Sequence, residues 1–101
     1  MSSKTVTLKV NSVNIPLSFF VQTYFDRVMD GIVGSLEHTG TVETLMLDGS
    51  KDAIALTLNG LPVAMNEFVR HIVRRTAEGM ISSLRGVDQI NTFNISVAAG
   101  K

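Results

Sequence analysis

The sequence repeats itself at an interval of 48 residues, and this repeat constrains the fold more than any other feature. Residues 8–49 align with residues 56–97 without a gap, and nine of the 42 aligned pairs are identical. Ordinary composition would give about two or three identities by chance over this length. We therefore predict an internal duplication within a single domain of residues 1–101, with units at about 4–49 and 52–97. The identical pairs are Leu8/Leu56, Asn11/Asn59, Phe20/Phe68, Val21/Val69, Arg27/Arg75, Gly31/Gly79, Ser35/Ser83, Leu36/Leu84 and Thr44/Thr92.

Each unit begins with the pattern of a β-hairpin. The residues from Val6 to Val10 alternate between apolar and polar, which is typical of a strand with one buried face. Asn11-Ser12 follows in the first unit and Asn59-Gly60 in the second, and Asn-Gly favours the type I′ turn of a tight hairpin. Each return arm carries one proline, Pro16 or Pro62, which predicts a short strand at a sheet edge or bulge.

The order of elements predicts an α+β fold of the form ββαβ-ββαβ. Two helices would pack on one face of a mostly antiparallel sheet, with pseudo-two-fold symmetry between the units. If the arms that contain proline are not strands, the order becomes βαββαβ, the split pattern of ferredoxin-like folds. The sequence leaves this choice open.

Apolar residues at a spacing of three and four predict one buried face on each helix. Ser18 and Asn66 precede the two helices at equivalent positions, and both residue types are good N-caps. The predicted buried residues are Val21, Tyr24, Phe25, Val28, Ile32 and Leu36 in the first helix and Val69, Ile72, Val73, Thr76, Met80 and Leu84 in the second. Both stripes are widened by further apolar residues, namely Met29, Val33, Ala77 and Ile81. We expect helix–helix packing or an apolar strip left for a partner.

Glycines inside both predicted helices require an explanation. Gly31 and Gly79 are equivalent in the repeat, Gly34 lies three residues after the first, and a helical glycine costs about 1 kcal/mol relative to alanine. Close approach of two backbones at a helix crossing is the simplest reason, and a dimer contact or a ligand against the bare backbone are alternatives. The candidate contact residues are Gly31, Gly34, Gly79 and Ser83.

The second helix carries a basic cluster made of Arg70, His71, Arg74 and Arg75, whereas the first helix, with Asp26, Arg27 and Asp30, is net acidic. Three interpretations compete: a solvated face, contact with the acidic helix of a second subunit, and an anion site. The net charge of the chain is zero, with nine basic and nine acidic side chains, so we do not expect a nucleic-acid partner.

Patterns of catalytic, metal-binding and cofactor-binding residues are missing from the sequence. The chain has no cysteine, and its two histidines, His38 and His71, lie in different elements without partners at metal-ligand spacing. We therefore predict no catalytic residue, no metal and no cofactor, and an enzyme is the least favoured class.

The leading functional hypothesis is a non-catalytic protein-interaction module that forms a homodimer through its helix layer or a sheet edge, with another protein as a further potential partner. The alternative is a small-molecule or anion-binding protein that uses the basic face of the second helix. No apolar run approaches the ~20 residues of a membrane span, and the amino terminus lacks a signal-peptide pattern, so we predict a cytoplasmic protein without a membrane partner.

Overall fold

The computed structural model describes residues 4–36, 42–84, 87 and 89–99. No helix in these ranges is long and apolar enough to cross a membrane. The elements follow the order ββαβββαβ. Their bounds are β1 Lys4–Val10, β2 Val13–Ile15, α1 Phe19–Gly34, β3 Thr44–Gly49, β4 Ile54–Leu58, β5 Leu61–Val63, α2 Glu67–Ser82 and β6 Phe93–Ala99.

The six strands form one sheet in the order β2-β1-β6-β3-β4-β5, and all five pairings are antiparallel. Both arms that follow the hairpin turns are three-residue strands, and they are the two edges of the sheet. The predicted α+β class and the predicted order of two helices and six strands are confirmed, whereas the alternative, the ferredoxin-like order, is wrong. Pro62 lies inside the edge strand β5, where an edge position tolerates a residue that cannot donate to the ladder.

One row of apolar side chains crosses the whole sheet. The register of the five pairings brings one residue from each strand into this row, and its four central members are almost completely buried. The row therefore forms the middle of the core. From edge to edge it consists of Ile15, Leu8, Ile95, Leu47, Leu56 and Val63.

The molecule has two layers, since one face of the sheet is buried and the other is exposed. In β3, Leu45 and Leu47 are buried while Met46 and Asp48 are exposed, and in the other central strands buried residues alternate with exposed or half-buried ones. Both helices bury one side against the core cluster, so both lie on the covered face.

The predicted N-caps are confirmed, but the buried faces of the helices differ from the prediction. Ser18 accepts from the Val21 N–H, and Asn66 accepts from the Val69 N–H. Tyr24 was predicted to be buried and is 51% exposed. The rest of the predicted set is half-buried apart from Phe25 and Val73, which are buried, and Ile72, which is exposed. The buried residues are Phe25, Met29 and Val33 in α1 and Val73, Ala77 and Ile81 in α2.

Each hairpin turn also holds the start of a distant strand. Asn11 and Asn59 have φ values of 52° and 51°, the left-handed region that a type I′ turn requires. The amide oxygen of Asn59 accepts from the N–H groups of Glu43 and Thr44 at 2.7 and 3.0 Å. Asn11 binds the backbone of residues 91 and 92 in the same way, at 2.7 and 3.0 Å. These contacts explain why both units carry asparagine here.

Candidate functional site

Five positions of each helix form a ridge that points away from the sheet. Their spacing of four, three, four and four residues places them on one side of a helix with 3.6 residues per turn, opposite the buried side. All ten residues are exposed. This outer ridge consists of Phe20, Tyr24, Arg27, Gly31 and Ser35 along α1 and its C-cap, and Phe68, Ile72, Arg75, Gly79 and Ser83 along α2 and its C-cap.

The outer ridge is more alike in the two helices than the buried side is. Four of the five ridge pairs are identical, and the fifth is Tyr24 with Ile72. None of the three buried pairs is identical: they are Phe25/Val73, Met29/Ala77 and Val33/Ile81. Packing constrains buried side chains most strongly, so folding alone does not account for a better match on the exposed side.

The first half of each ridge is bulky and apolar. Phe20 is 73% exposed, Phe68 is 70% exposed and Ile72 is 48% exposed. The rings of Phe20 and Tyr24 stack with centroids 6.1 Å apart. The three aromatic side chains of the ridges, Phe20, Tyr24 and Phe68, together present on the order of 400 Å² of surface to solvent. Large apolar side chains that are exposed side by side, as Phe20 and Tyr24 are, are more common at interaction sites than on the rest of a protein surface.

The second half of each ridge consists of glycine and serine and has no bulky side chain. A Cβ atom added to Gly31, Gly34 or Gly79 would meet nothing within 4 Å among the described residues. The described residues therefore form no close helix crossing at these glycines, and a dimer contact stays a prediction. Ser83 donates its hydroxyl to the Gly79 carbonyl at 2.9 Å, and Ser35 donates to the Gly31 carbonyl at 2.8 Å.

A groove with a volume of about 610 Å³ runs between the two helices. It brings the first half of α1 beside the second half of α2, so the helices run antiparallel along it. Most of its wall is apolar, and none of its lining side chains is acidic. The lining of this interhelical groove consists of Phe20, Val21, Tyr24, Phe25 and Val28 from α1 and Arg75, Thr76, Gly79, Met80, Ser83 and Leu84 from α2.

The structure divides the predicted basic cluster into two parts. Arg75 lines the interhelical groove, whereas Arg70, His71 and Arg74 line a polar pocket on the other side of α2. Adjacent residues of a helix point about 100° apart, which explains the separation of Arg74 from Arg75. Within the described part of the chain, neither Arg75 nor its ridge counterpart Arg27 takes part in an ion pair or a hydrogen bond.

The polar pocket contains its own countercharges. Asp52 and Glu67 line it together with the three basic residues. Arg70 donates to the Met65 carbonyl at 2.9 Å, and Arg74 donates to the Ser50 carbonyl at 2.6 Å. Arg74 also lies 3.7 Å from Glu78. The guanidinium groups of Arg70 and Arg74 therefore bond α2 to backbone carbonyls outside the helix.

The described residues contain no group of three or more histidine, aspartate or glutamate side chains arranged to hold a metal ion. His71 is exposed, and His38 lies outside the described residues. Sequence reasoning missed the outer ridge, although four of the nine identical pairs belong to it. Helical spacing of those four pairs was the signal that could have identified the surface.

Comparisons with protein-family models, with curated proteins and with solved structures found no match to this chain.

Proposed function

We propose that the protein is a non-catalytic interaction module that forms a homodimer through the outer ridges of its helices. The observation that carries this proposal is the exposed ridge itself, which is repeated on both helices with four identities in five positions. An internal duplication that kept a binding surface in both copies, while the three buried pairs of the helices changed, would account for this pattern.

The ridge is complementary in shape to itself, and this favours a second copy as the partner. Each ridge begins with bulky side chains and ends with glycine and serine. When two ridges pack antiparallel, the bulky half of one lies over the bare half of the other. A two-fold dimer needs such self-complementarity because the same patch serves both subunits. The bare glycines would allow the two backbones to approach closely.

The charges of the helices favour α1 of one copy facing α2 of the other. In α1, Asp26 and Asp30 outnumber Arg27 by one. The three arginines of α2 outnumber its two acidic residues, Glu67 and Glu78, by one. Opposite net charges on facing helices favour this pairing over α1 on α1.

The size of the helix layer is adequate for a stable dimer. Each helix has 16 residues and is therefore about 24 Å long. A standard interface buries about 800 Å² on each partner. Two ridges of this length, side by side and with large exposed aromatic residues, can supply that area.

The test is the mass of the protein by sedimentation velocity over a range of concentrations. Wild type should sediment as two chains, and a Phe20→Glu/Phe68→Glu variant should sediment as one chain. Phe19→Glu is the matched control, because Phe19 is 86% exposed but lies off the ridge and its counterpart in the repeat is already Glu67. This control should remain a dimer.

Two results would contradict the proposal. A wild-type protein that sediments as one chain at the highest soluble concentration would exclude the dimer. If Phe19→Glu dissociates the dimer as much as the double variant does, non-specific hydrophobic contact, and not the ridge, drives association. Far-ultraviolet circular dichroism of every variant separates loss of association from loss of folding.

The alternative of an anion site at Arg70, His71 and Arg74 draws less support. Two of these side chains already donate to backbone carbonyls, and two carboxylates share their pocket.

A further inference from the structure

We propose that the interhelical groove binds an amphipathic anion, with its charged group on Arg75 and its apolar body against the aromatic wall of the groove. The groove and Arg75 belong to one chain. A second arginine at the site comes from the partner copy, and this part of the inference rests on the proposed dimer.

The groove suits the apolar body of such a molecule. Its volume of about 610 Å³ lies within the range of ordinary small-molecule sites. Phe20 and Tyr24 form one wall, and Met80 and Leu84 lie on the other side. An inorganic anion would gain nothing from these surfaces, whereas a ring system or an alkyl chain would be removed from water by them.

The charge at the groove favours an anion as its ligand. Arg75 is the charged residue of its lining, and within the described part of the chain it has no ion-pair partner. Arginine binds carboxylate, sulfonate and phosphate groups through two parallel hydrogen bonds. The polar pocket lacks this requirement, since Asp52 and Glu67 already stand beside its basic residues.

Dimer formation would strengthen the requirement for an anion. Arg27 and Arg75 occupy the middle position of their ridges, so antiparallel packing of α1 on α2 places Arg75 opposite the partner's Arg27. The ridges contain no acidic residue to compensate these charges. Two like charges that face each other across an interface weaken it, and a counterion between them removes this repulsion. An anion between the two guanidinium groups would stabilise the interface, and the second copy would enclose its apolar body.

The test uses two fluorescent probes that share one aromatic body, anilinonaphthalene sulfonate and the uncharged phenylnaphthylamine. Both should bind the wild-type protein saturably. Arg75→Gln should weaken binding of the sulfonate about tenfold, the effect of losing one charge-assisted contact, and leave the uncharged probe unchanged. Arg70→Gln is the matched control, because it removes a charge from the other side of the same helix, and it should leave both probes unchanged.

Sulfonate binding that does not depend on Arg75 would overturn the inference, and so would an equal effect of Arg70→Gln or the absence of saturable binding. Sedimentation of the same samples separates this inference from the proposed dimer. A monomer with binding that depends on Arg75 would support the groove and contradict the dimer. A dimer without such binding would support the dimer and contradict the groove. Arg27→Gln should weaken the sulfonate only at concentrations where the protein is dimeric.

Discussion

Replacing Gly79 with alanine should have opposite effects on the stability of one chain and on association. Gly79 lies inside α2, and an added Cβ would meet nothing within 4 Å among the described residues. Alanine also keeps the carbonyl that accepts from Ser83. The substitution should therefore stabilise the helix by the full difference in propensity, about 1 kcal/mol. For a chain of this size that corresponds to a rise of about 4–8 °C in Tm.

Gly79→Ala should also weaken the association of two chains. In the proposed dimer Gly79 lies beneath the bulky half of the partner's ridge, and each dimer contains two such contacts. Adding a methyl group to a close-packed contact costs about 1–3 kcal/mol, so the dissociation constant should rise at least about tenfold. Gly34→Ala is the control, because Gly34 is equally open but lies off the ridge, and its counterpart in the repeat is Ser82.

Two measurements are needed, since dimer formation raises apparent stability in a concentration-dependent way. Urea unfolding in the Phe20→Glu/Phe68→Glu background reports the stability of one chain. Sedimentation velocity of Gly79→Ala alone reports association. A variant that is more stable but associates as wild type does would refute a role for Gly79 in the interface. A variant that is less stable as a single chain would refute the open environment of the glycine.

Three further predictions concern contacts within the chain and are measured by urea unfolding. Gly49→Ala should lower the free energy of unfolding by about 3 kcal/mol, because the new Cβ would overlap the buried ring of Phe93. Adding Phe93→Leu should restore part of this stability. Purely additive effects of the two substitutions would contradict the clash. Asn59→Ala should lower the free energy of unfolding by about 3 kcal/mol, because it removes the acceptor of two backbone N–H groups and places alanine at a positive φ. Asn59→Gly should lower it by about 1 kcal/mol less, since glycine adopts a positive φ without strain. Equal losses would show that the backbone angle does not contribute. Arg74→Ala should lower the free energy of unfolding by about 1.5 kcal/mol, because it removes the hydrogen bond to the Ser50 carbonyl. Arg74→Lys should recover part of this stability. An unchanged unfolding midpoint for the alanine variant would mean that this bond is not formed in solution.

Features that depend on a few adjacent residues were predictable from the sequence. The turns at Asn11 and Asn59 need positive φ, which asparagine and glycine adopt more readily than other residues. Ser18 and Asn66 accept from the helix N–H groups three residues onward, so the two helix starts were also encoded locally. The position of proline in the return arms predicted short edge strands, and both edges of the sheet are such strands.

The candidate site was not predictable in the same way. Apolar residues cover so much of α1 that a helical pattern admits more than one buried side, and a rotation by one residue turns the helix by about 100°. Tyr24 was assigned to the core on this basis, but contact with the sheet selects Met29 and leaves Tyr24 on the outer ridge. The separation of Arg75 from Arg74 follows from the same rotation.

The sequence by itself determined the hairpin turns and the helix starts, because short-range hydrogen bonds and backbone preferences specify them. It left open whether the arms that contain proline are strands. Only the tertiary structure decided that β3 pairs with β6 at the centre, which sides of the helices are buried, and that a groove separates the helices. These outcomes depend on packing between residues that are distant in the chain, and a local pattern does not contain that information. The repeat of 48 residues was visible in the sequence, but only the fold shows which of its identical residues face solvent.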